Sequence, residues 1–215
     1  MIVDNMNYRE IGQEILSDWW QEASSVAFRL LGNSEYRRAV LKKGQRDKLL
    51  FFKPKEITTG RGNRFIVVPF SNGKNNFKKE GLHMIVYLMF QYRNEKLIAR
   101  IVNRFNTILF FKQHLLKRYF ERFKREMHNL SLEYVTQFFK DNLLMNSEYT
   151  LGAREDSNCI CKIRDGILFG QDLGDEHYLF RTFISTDMAK GQQVDSIERL
   201  SEELEGRYGT HWGNC

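Results

Sequence analysis

The sequence of 215 residues lacks the motifs that mark several common enzyme classes. It contains no G-x-x-x-x-G-K-S/T phosphate loop, no G-x-G-x-x-G turn, no H-E-x-x-H helix, no C-x-x-C pair and no G-x-S-x-G elbow. The sequence therefore gives little support to ATP-driven chemistry, Rossmann-type redox chemistry, zinc proteolysis or serine-hydrolase chemistry. The five histidines share no metal-ligand spacing. The acidic stretch from Asp172 to His177 is more typical of a solvated loop, and we expect neither a metal nor a cofactor.

Cysteine is scarce, and long apolar runs are missing. There are three cysteines, two of which, Cys159 and Cys161, are one residue apart. This is a poor disulfide framework and favours a reducing compartment. No stretch approaches the ~20 apolar residues of a membrane span. Residues Met1–Glu10 show no basic segment followed by an apolar one, so no signal peptide is expected. We expect a cytoplasmic protein with no membrane contact.

The chain is basic, with a formal net charge of +6 and a pI of about 9.2. Such a balance favours polyanionic partners such as nucleic acid, although it also serves solubility alone. Tyr36–Arg64 holds ten lysines and arginines, interleaved with Phe51, Phe52 and Phe65. A basic segment with aromatic residues can follow a phosphate backbone and stack on bases; a solvated linker is the alternative. The candidate nucleic-acid-binding residues of this segment are Arg37, Arg38, Lys42, Lys43 and Arg46.

Apolar periodicity predicts an α+β fold, in which an antiparallel sheet carries helices packed on one side and an N-terminal helical subregion. We expect one domain over residues 1–215, with the helical subregion at about 1–62 and the α+β core at about 63–204. Residues 44–63 and 71–81 read as irregular, and Asp165-Gly166 is a type I′ turn signal. The predicted helices cover 8–31, a segment capped by Ser34 that runs to Lys43, 112–127, a segment capped by Ser131, and 193–204. The apolar face of the first comprises Tyr8, Ile11, Ile15, Trp19, Ala23, Val26 and Leu30. The predicted strands are Arg64–Phe70, His83–Tyr92, Lys96–Val102, Ile108–Phe111, Asn158–Arg164, Ile167–Phe169 and Tyr178–Ser185.

The most informative pattern lies on the helix predicted over residues 112–127. His114, Arg118 and Arg122 are spaced by four residues and share one helical face. The opposite face, which should pack on the sheet, holds Leu115, Leu116, Tyr119, Phe120 and Phe123. Metal-free RNA cleavage needs an acid or base near neutral pKa and cations that stabilise the phosphorane, which are roles suited to His and Arg. The alternative is a surface helix whose basic residues pair with Glu121 and Glu126. Further nucleic-acid contacts are expected from Lys112, Lys117 and Arg125.

The order of motifs over residues 107–187 resembles that of small uncharacterised bacterial proteins similar to the RelE/BrnT-type RNase toxins. The shared features are the H-x-x-x-R-x-x-x-R helix, a following helix that opens with Ser131-Leu132-Glu133, a late Asp165-Gly166 hairpin and a closing strand, Phe180–Ser185. The resemblance implies an antiparallel sheet with helices on one side. It also implies a catalytic group of His114, Arg118, Arg122 and Arg181, with Tyr119 as a further candidate.

Two classes of function are open from the sequence, and it does not decide whether the chain is an enzyme. The first is a nucleic-acid-binding protein, with RNA as the favoured partner and metal-independent ribonuclease activity as the specific hypothesis. The second is a non-enzymatic accessory protein of a phage, mobile element or defence system that docks a protein partner through its basic helix. An enzyme requires His114 exposed beside convergent arginines, whereas a docking protein requires only a basic face.

Overall fold

A computed structural model of the chain describes residues 2–102, 106–123, 129–143, 145–149, 159–191, 194–195 and 198–203. The chain divides into two compact units: unit 1 is Met1–Arg93 with Ala99–Ile108, and unit 2 is Asn94–Ile98 with Leu109–Cys215. Helices and antiparallel strands occur in both, so the predicted α+β class is confirmed. The single domain over residues 1–215 stays a prediction. No helix in the described ranges has the length and apolar content to cross a bilayer.

Most of the predicted helices and strands are present, with shifted ends. The helices of unit 1 are α1 (Tyr8–Asp18), a π-helical turn (Trp19–Ala23), α2 (Ser24–Leu31), α3 (Ser34–Lys43) and α4 (Lys74–Glu80), and its strands are β1 (Leu50–Phe51), β2 (Lys55–Thr58), β3 (Arg64–Ser71) and β4 (His83–Tyr92). Both units share β5 (Glu95–Val102) and β6 (Thr107–Lys112). Unit 2 adds α5 (Gln113–Arg122), α6 (Leu132–Asp141), β7 (Asn146–Tyr149), β8 (Cys159–Ile163), β9 (Gly166–Gly174), β10 (His177–Ser185) and a 3-10 turn, Thr186–Met188.

The first helical segment begins with a capping box and contains a π-helical turn. Asn7 accepts a hydrogen bond from the Glu10 amide, and Glu10 accepts one from the Asn7 amide. Its buried face consists of residues at strict four-residue steps: Ile11, Ile15, Trp19, Ala23 and Ala27, all fully buried. On a regular α-helix such a row drifts by about 40° per step. The wider π-helical turn takes up this drift, so the face continues through Ala27 and not through the predicted Val26 and Leu30.

The sheet of unit 1 is built around β3, which is buried along almost its whole length. It pairs antiparallel with β1, β2 and β4, and β5 follows β4 in the strand order. Trp19 packs on Phe65 of β3 with ring centroids 5.4 Å apart. The N-terminal helical segment therefore covers this strand. The expected irregular segment 44–63 in fact contains β1 and β2.

In unit 2 the strand order runs β5, β6, β10, β9, β8, β7, and the last four strands pair antiparallel. An aromatic cluster holds α5 and α6 on one face of this sheet. Phe111 of β6 meets Phe138 of α6 at 5.8 Å and Phe180 of β10 at 5.6 Å between ring centroids. Tyr119 of α5 meets Phe138 at 5.0 Å and Phe183 of β10 at 5.2 Å. Each such pair adds about 0.5–1.5 kcal/mol beyond area burial.

Several sequence-based details are wrong. The segment 71–81 contains α4 and is not a loop, and α3 is capped by Asn33 and not by Ser34. The β8–β9 turn is Arg164-Asp165, neither residue has positive φ, and Gly166 begins β9. Positive φ at both turn residues occurs instead at Arg93-Asn94 and Asp175-Glu176. Residues 124–127 of the predicted 112–127 helix lie outside the described residues, as do parts of the predicted 193–204 helix, which is helical at 194–195 and 198–203.

Candidate functional site

The first turn of α5 has no side-chain cap. Lys112 is its N-cap and makes no side-chain capping bond, and no acidic residue lies in the first turn. The buried face holds Leu115, Leu116, Tyr119 and Phe120, as predicted. The predicted burial of Phe123 is wrong, because the helix ends at Arg122 and the Phe123 side chain is 42% exposed. His114, Arg118 and Arg122 are all exposed on one unbroken helix.

His114 lies in the first turn of α5, and the Arg181 backbone of β10 is among the groups that act on its pKa. Partial burial of the ring, and then the positive charges of Arg118 and Lys112, lower the pKa of His114. The Glu95 carboxylate and the Arg181 backbone act in the opposite direction and are smaller effects. The lowered pKa favours the neutral imidazole, which is the form that can accept a proton.

Arg181 lies at a β-bulge in β10. Phe180 pairs with Gly170 and Thr182 pairs with Phe169, so Arg181 is the extra residue of the bulged strand. A Cβ on Gly170 would lie 2.5 Å from the Leu179 carbonyl oxygen, so glycine permits the close approach of the strands here. Bulges occur often beside functional sites because they redirect a side chain.

The Arg181 guanidinium is only partly satisfied. Its Nη2 donates to Gln171 Oε1 on the neighbouring strand at 2.7 Å. Its Nε is buried and has no hydrogen-bond partner among the residues the structure describes. A buried donor left unsatisfied costs about 1–3 kcal/mol.

The neighbouring cations are anchored to different degrees. Arg118 Nη1 donates to Thr182 Oγ1 at 2.7 Å, which holds the guanidinium beside β10 and leaves its other N–H groups available. Lys112 Nζ pairs with Glu95 Oε1 of β5 at 2.7 Å, which fixes the position of its charge. The structure therefore places the imidazole of His114 near the charges of Arg118 and Lys112 and near the Arg181 backbone, whereas the Arg181 side chain is bonded to Gln171.

The other sequence-predicted residues stand outside this group. Arg122 is exposed and, within the described residues, makes no hydrogen bond or ion pair with the group. Lys117 is exposed and lies 3.8 Å from Glu121 on its own helix. Arg125 lies outside the described residues. In unit 1, all five candidates are exposed: Arg37, Arg38, Lys42, Lys43 and Arg46.

Tyr119 anchors the site and takes no part in proton transfer near neutral pH. Its hydroxyl donates to Asp165 Oδ2 at 2.6 Å. Burial, and then the bond to the Asp165 carboxylate, raise the pKa of Tyr119 far above its usual range. This hydrogen bond connects α5 to the β8–β9 turn. Within the turn, Arg164 Nε also pairs with Asp165 Oδ1 at 3.1 Å.

Sequence reasoning missed Gln171, Thr182 and Glu95, which orient Arg181, Arg118 and Lys112. No local pattern marks these residues, because each reaches the site through strand pairing. The basic segment 36–64 also differs from its sequence interpretation. Phe65 is fully buried and cannot stack on a base. In the described part of the chain, no group of His, Cys, Asp and Glu side chains has the arrangement of a metal site.

No family model, curated protein or solved structure matches the chain. The resemblance to the RelE/BrnT-type RNase toxins therefore stays a prediction.

Proposed function

We propose that this protein binds RNA and cleaves it without a metal ion, with His114 as the general base. One observation carries the proposal: the exposed imidazole of His114 lies one helical turn from Arg118, whose guanidinium is held beside β10 by Thr182 at 2.7 Å, and this positive charge helps to lower the pKa of His114. A histidine that has only a packing role does not require neighbouring cations that favour its neutral form. Neutral His beside guanidinium groups is the combination that proton abstraction next to a phosphate requires.

The chemistry follows from these groups. His114 takes the proton of a ribose 2′-hydroxyl, and the 2′-oxygen attacks the adjacent phosphorus. The bond from phosphorus to the 5′-oxygen breaks, and water protonates the departing 5′-oxygen. The products are a 2′,3′-cyclic phosphate and a 5′-hydroxyl. Arg118 and Arg181 stabilise the negative charge of the phosphorane, because guanidinium groups grip phosphate oxygens in two parallel hydrogen bonds.

Single-turnover cleavage of an RNA oligonucleotide tests these roles. His114→Ala should lower the rate by about 10²–10⁴-fold. Its affinity for the same oligonucleotide in the uncleavable 2′-deoxy form should change little. His83→Ala is the matched control, because His83 lies in unit 1 and pairs with Glu80. Arg118→Lys should also lower the rate, since an ammonium group cannot reproduce the bidentate grip.

A rate for His114→Ala equal to that of His83→Ala would contradict the assignment of the base. A fall in affinity equal to the fall in rate would also contradict it, because a general base acts on the transition state and not on ground-state binding.

A docking function is the second candidate, and the exposure of Lys117, Arg118 and Arg122 on one helix favours it. In that case the basic helix contacts an acidic protein surface and no RNA is cleaved. Charge reversal at Arg118 and at Arg122 should then weaken partner binding additively, and His114→Ala should leave it intact. The same variants therefore separate the two functions.

A further inference from the structure

The net positive charge of the chain is concentrated in two segments of unit 1. Residues 34–48 and 74–80 carry nine lysines and arginines and three carboxylates, a net charge of +6. The whole chain also has a formal net charge of +6, so the other residues are balanced. The second segment, α4, is not predicted as a helix by its sequence and is not among the predicted nucleic-acid contacts.

Backbone contacts bring the two segments together. The amides of Lys74 and Asn75, in the first turn of α4, donate to the carbonyls of Gln45 and Arg46 at 2.9 and 3.0 Å. Gly73, just before α4, has a φ of 92°, and a Cβ there would lie 2.5 Å from the Arg46 carbonyl oxygen. Glycine therefore permits this docking. The start of α4 lies against the residues that follow α3.

The α3 helix is fixed by its apolar side, which leaves its basic side in solvent. Val40 is fully buried, and the Tyr36 ring meets Phe52 edge-on with centroids 4.8 Å apart. Burial, and then the nearby Glu35 carboxylate, raise the pKa of Tyr36, consistent with its role as an anchor. The basic side chains of α3 and α4 are exposed: Arg37, Arg38, Lys42, Lys43, Lys74, Lys78 and Lys79. With Arg46 and Lys48 they form what we call the basic surface.

The cations of the basic surface are not neutralised by neighbours. None of the nine forms an ion pair within the ranges the structure describes. Other cations of the same unit do so: Arg61 pairs with Glu14 at 2.9 Å, and Arg64 with Glu56 at 2.8 Å. Unit 1 therefore contains carboxylates that pair with arginine, but these carboxylates lie outside the basic surface.

The positions of these cations also work against helix stability. Arg38 and Lys42 are four residues apart on α3, and Lys74 and Lys78 are four residues apart on α4. Like charges at that spacing cost about 0.2–0.5 kcal/mol per pair. The helix dipole accounts for Lys42 and Lys43, which lie at the C-terminal end of α3. It does not account for Arg38, or for Lys74 in the first turn of α4. A ligand of opposite charge accounts for both positions.

We propose that the basic surface binds the sugar-phosphate backbone of nucleic acid, independently of the site on α5. The inference deepens the proposed function, since it names where the nucleic acid is held, but it does not depend on His114. An acidic membrane is a poorer fit. Leu41 is the only large hydrophobic residue of α3 and α4 that is strongly exposed, and membrane-surface helices bury a broad apolar face.

Fluorescence anisotropy with a labelled single-stranded DNA oligonucleotide tests the inference, because DNA has no 2′-hydroxyl and is not cleaved by the proposed mechanism. Each phosphate contact contributes about 0.7 to the slope of log affinity against log salt. The double variants Arg38→Gln/Lys42→Gln and Lys74→Gln/Lys78→Gln should each reduce the slope by about 1.4, and the quadruple variant by about 2.8. The matched control removes two exposed arginines of the N-terminal helical segment, Arg9→Gln/Arg29→Gln, and should leave the slope unchanged.

The outcomes separate this inference from the proposed function. Loss of DNA affinity in both double variants, with affinity retained in His114→Ala, supports the basic surface whether or not RNA is cleaved. Wild-type protein that cleaves RNA, but whose DNA affinity is the same in the quadruple variant, overturns the basic surface and leaves the proposed function intact. Binding to phosphatidylserine vesicles without binding to DNA also overturns it.

Discussion

The charge of His114 is set by its surroundings, and this gives a direct spectroscopic prediction. Burial and the positive charges of Arg118 and Lys112 lower its pKa. The neutral form should therefore persist to lower pH than for an ordinary histidine, whose pKa is about 6.5. Lys112→Met removes one positive charge and frees the Glu95 carboxylate, and both changes favour the imidazolium. The pKa of His114 should therefore rise in this variant, as followed by NMR titration of the imidazole.

Lys96→Met is the control for this titration. Lys96 is on β5, like Glu95, but its Nζ donates to the Leu130 carbonyl oxygen at 3.3 Å, and it is not among the groups that shift the pKa of His114. The pKa of His114 should stay at its wild-type value. A wild-type pKa at or above the ordinary value would contradict the account of the base.

Asp18 is a buried polar residue that connects the first helix of unit 1 to the turn after β2. Its carboxylate is fully buried and accepts hydrogen bonds from Thr59 Oγ1 at 2.7 Å and from Asn63 Nδ2 at 2.6 Å. Asp18→Ala removes both bonds and leaves the buried Asn63 amide without this acceptor, at about 1–3 kcal/mol, while the Thr59 hydroxyl retains the Asn63 carbonyl oxygen at 3.4 Å. Chemical denaturation should show a loss of about 3 kcal/mol.

Glu22→Ala is the comparison for Asp18→Ala. Glu22 is exposed and accepts a bond from the Gly60 amide at 2.7 Å in the same turn. A hydrogen bond at the surface contributes about 1 kcal/mol. Equal losses in the two variants would show that burial of Asp18 is not what stabilises the turn.

At the scale of the element, the bulge in β10 is the feature that places Arg181. Gly170→Ala would put a Cβ 2.5 Å from the Leu179 carbonyl oxygen and 2.8 Å from the Phe180 ring. Overpacking of this kind costs about 1–3 kcal/mol. We predict a loss of stability in that range and a shifted His114 resonance, because the bulge sets the position of the Arg181 backbone, which acts on the pKa of His114.

Gly32→Ala controls for the loss of a glycine as such, since its Cβ would meet nothing closer than 3.5 Å. It should change stability by less than about 0.5 kcal/mol. An unshifted His114 resonance in Gly170→Ala would mean that the bulge does not position the site.

The elements that the sequence predicts well are those with strong periodicity or a strong cap. β4 has the predicted bounds, and Ser131 caps α6 as expected. The α4 helix escapes prediction because none of its residues is buried and no apolar period marks it. It is fixed by backbone bonds to residues 45–46, which are distant in sequence. The sequence pattern assigns Gly166 to a turn. In the structure it lies in β9, and a Cβ there would overlap the Ile184 carbonyl oxygen of β10, so only glycine fits.

At the scale of the whole molecule, the sequence predicts the helical part of the candidate site and not its partners on the sheet. Spacing alone places His114, Arg118 and Arg122 on one face, but among the described residues Arg122 has no hydrogen bond or ion pair with the group. Gln171 and Thr182 could not be inferred, since strand pairing and the bulge bring them to the helix. The net charge predicts a polyanionic partner, and only the fold gathers that charge in residues 34–48 and 74–80.

The most direct test is the product of RNA cleavage in excess EDTA by the wild-type protein and by His114→Ala. The wild type should release fragments with 2′,3′-cyclic phosphate and 5′-hydroxyl ends, identified by mass spectrometry. His114→Ala, checked for unchanged thermal stability, should be slower by about 10²–10⁴-fold. Absence of cleavage by the wild type, 5′-phosphate ends, or equal rates for the two proteins would contradict the proposal that His114 catalyses metal-independent cleavage.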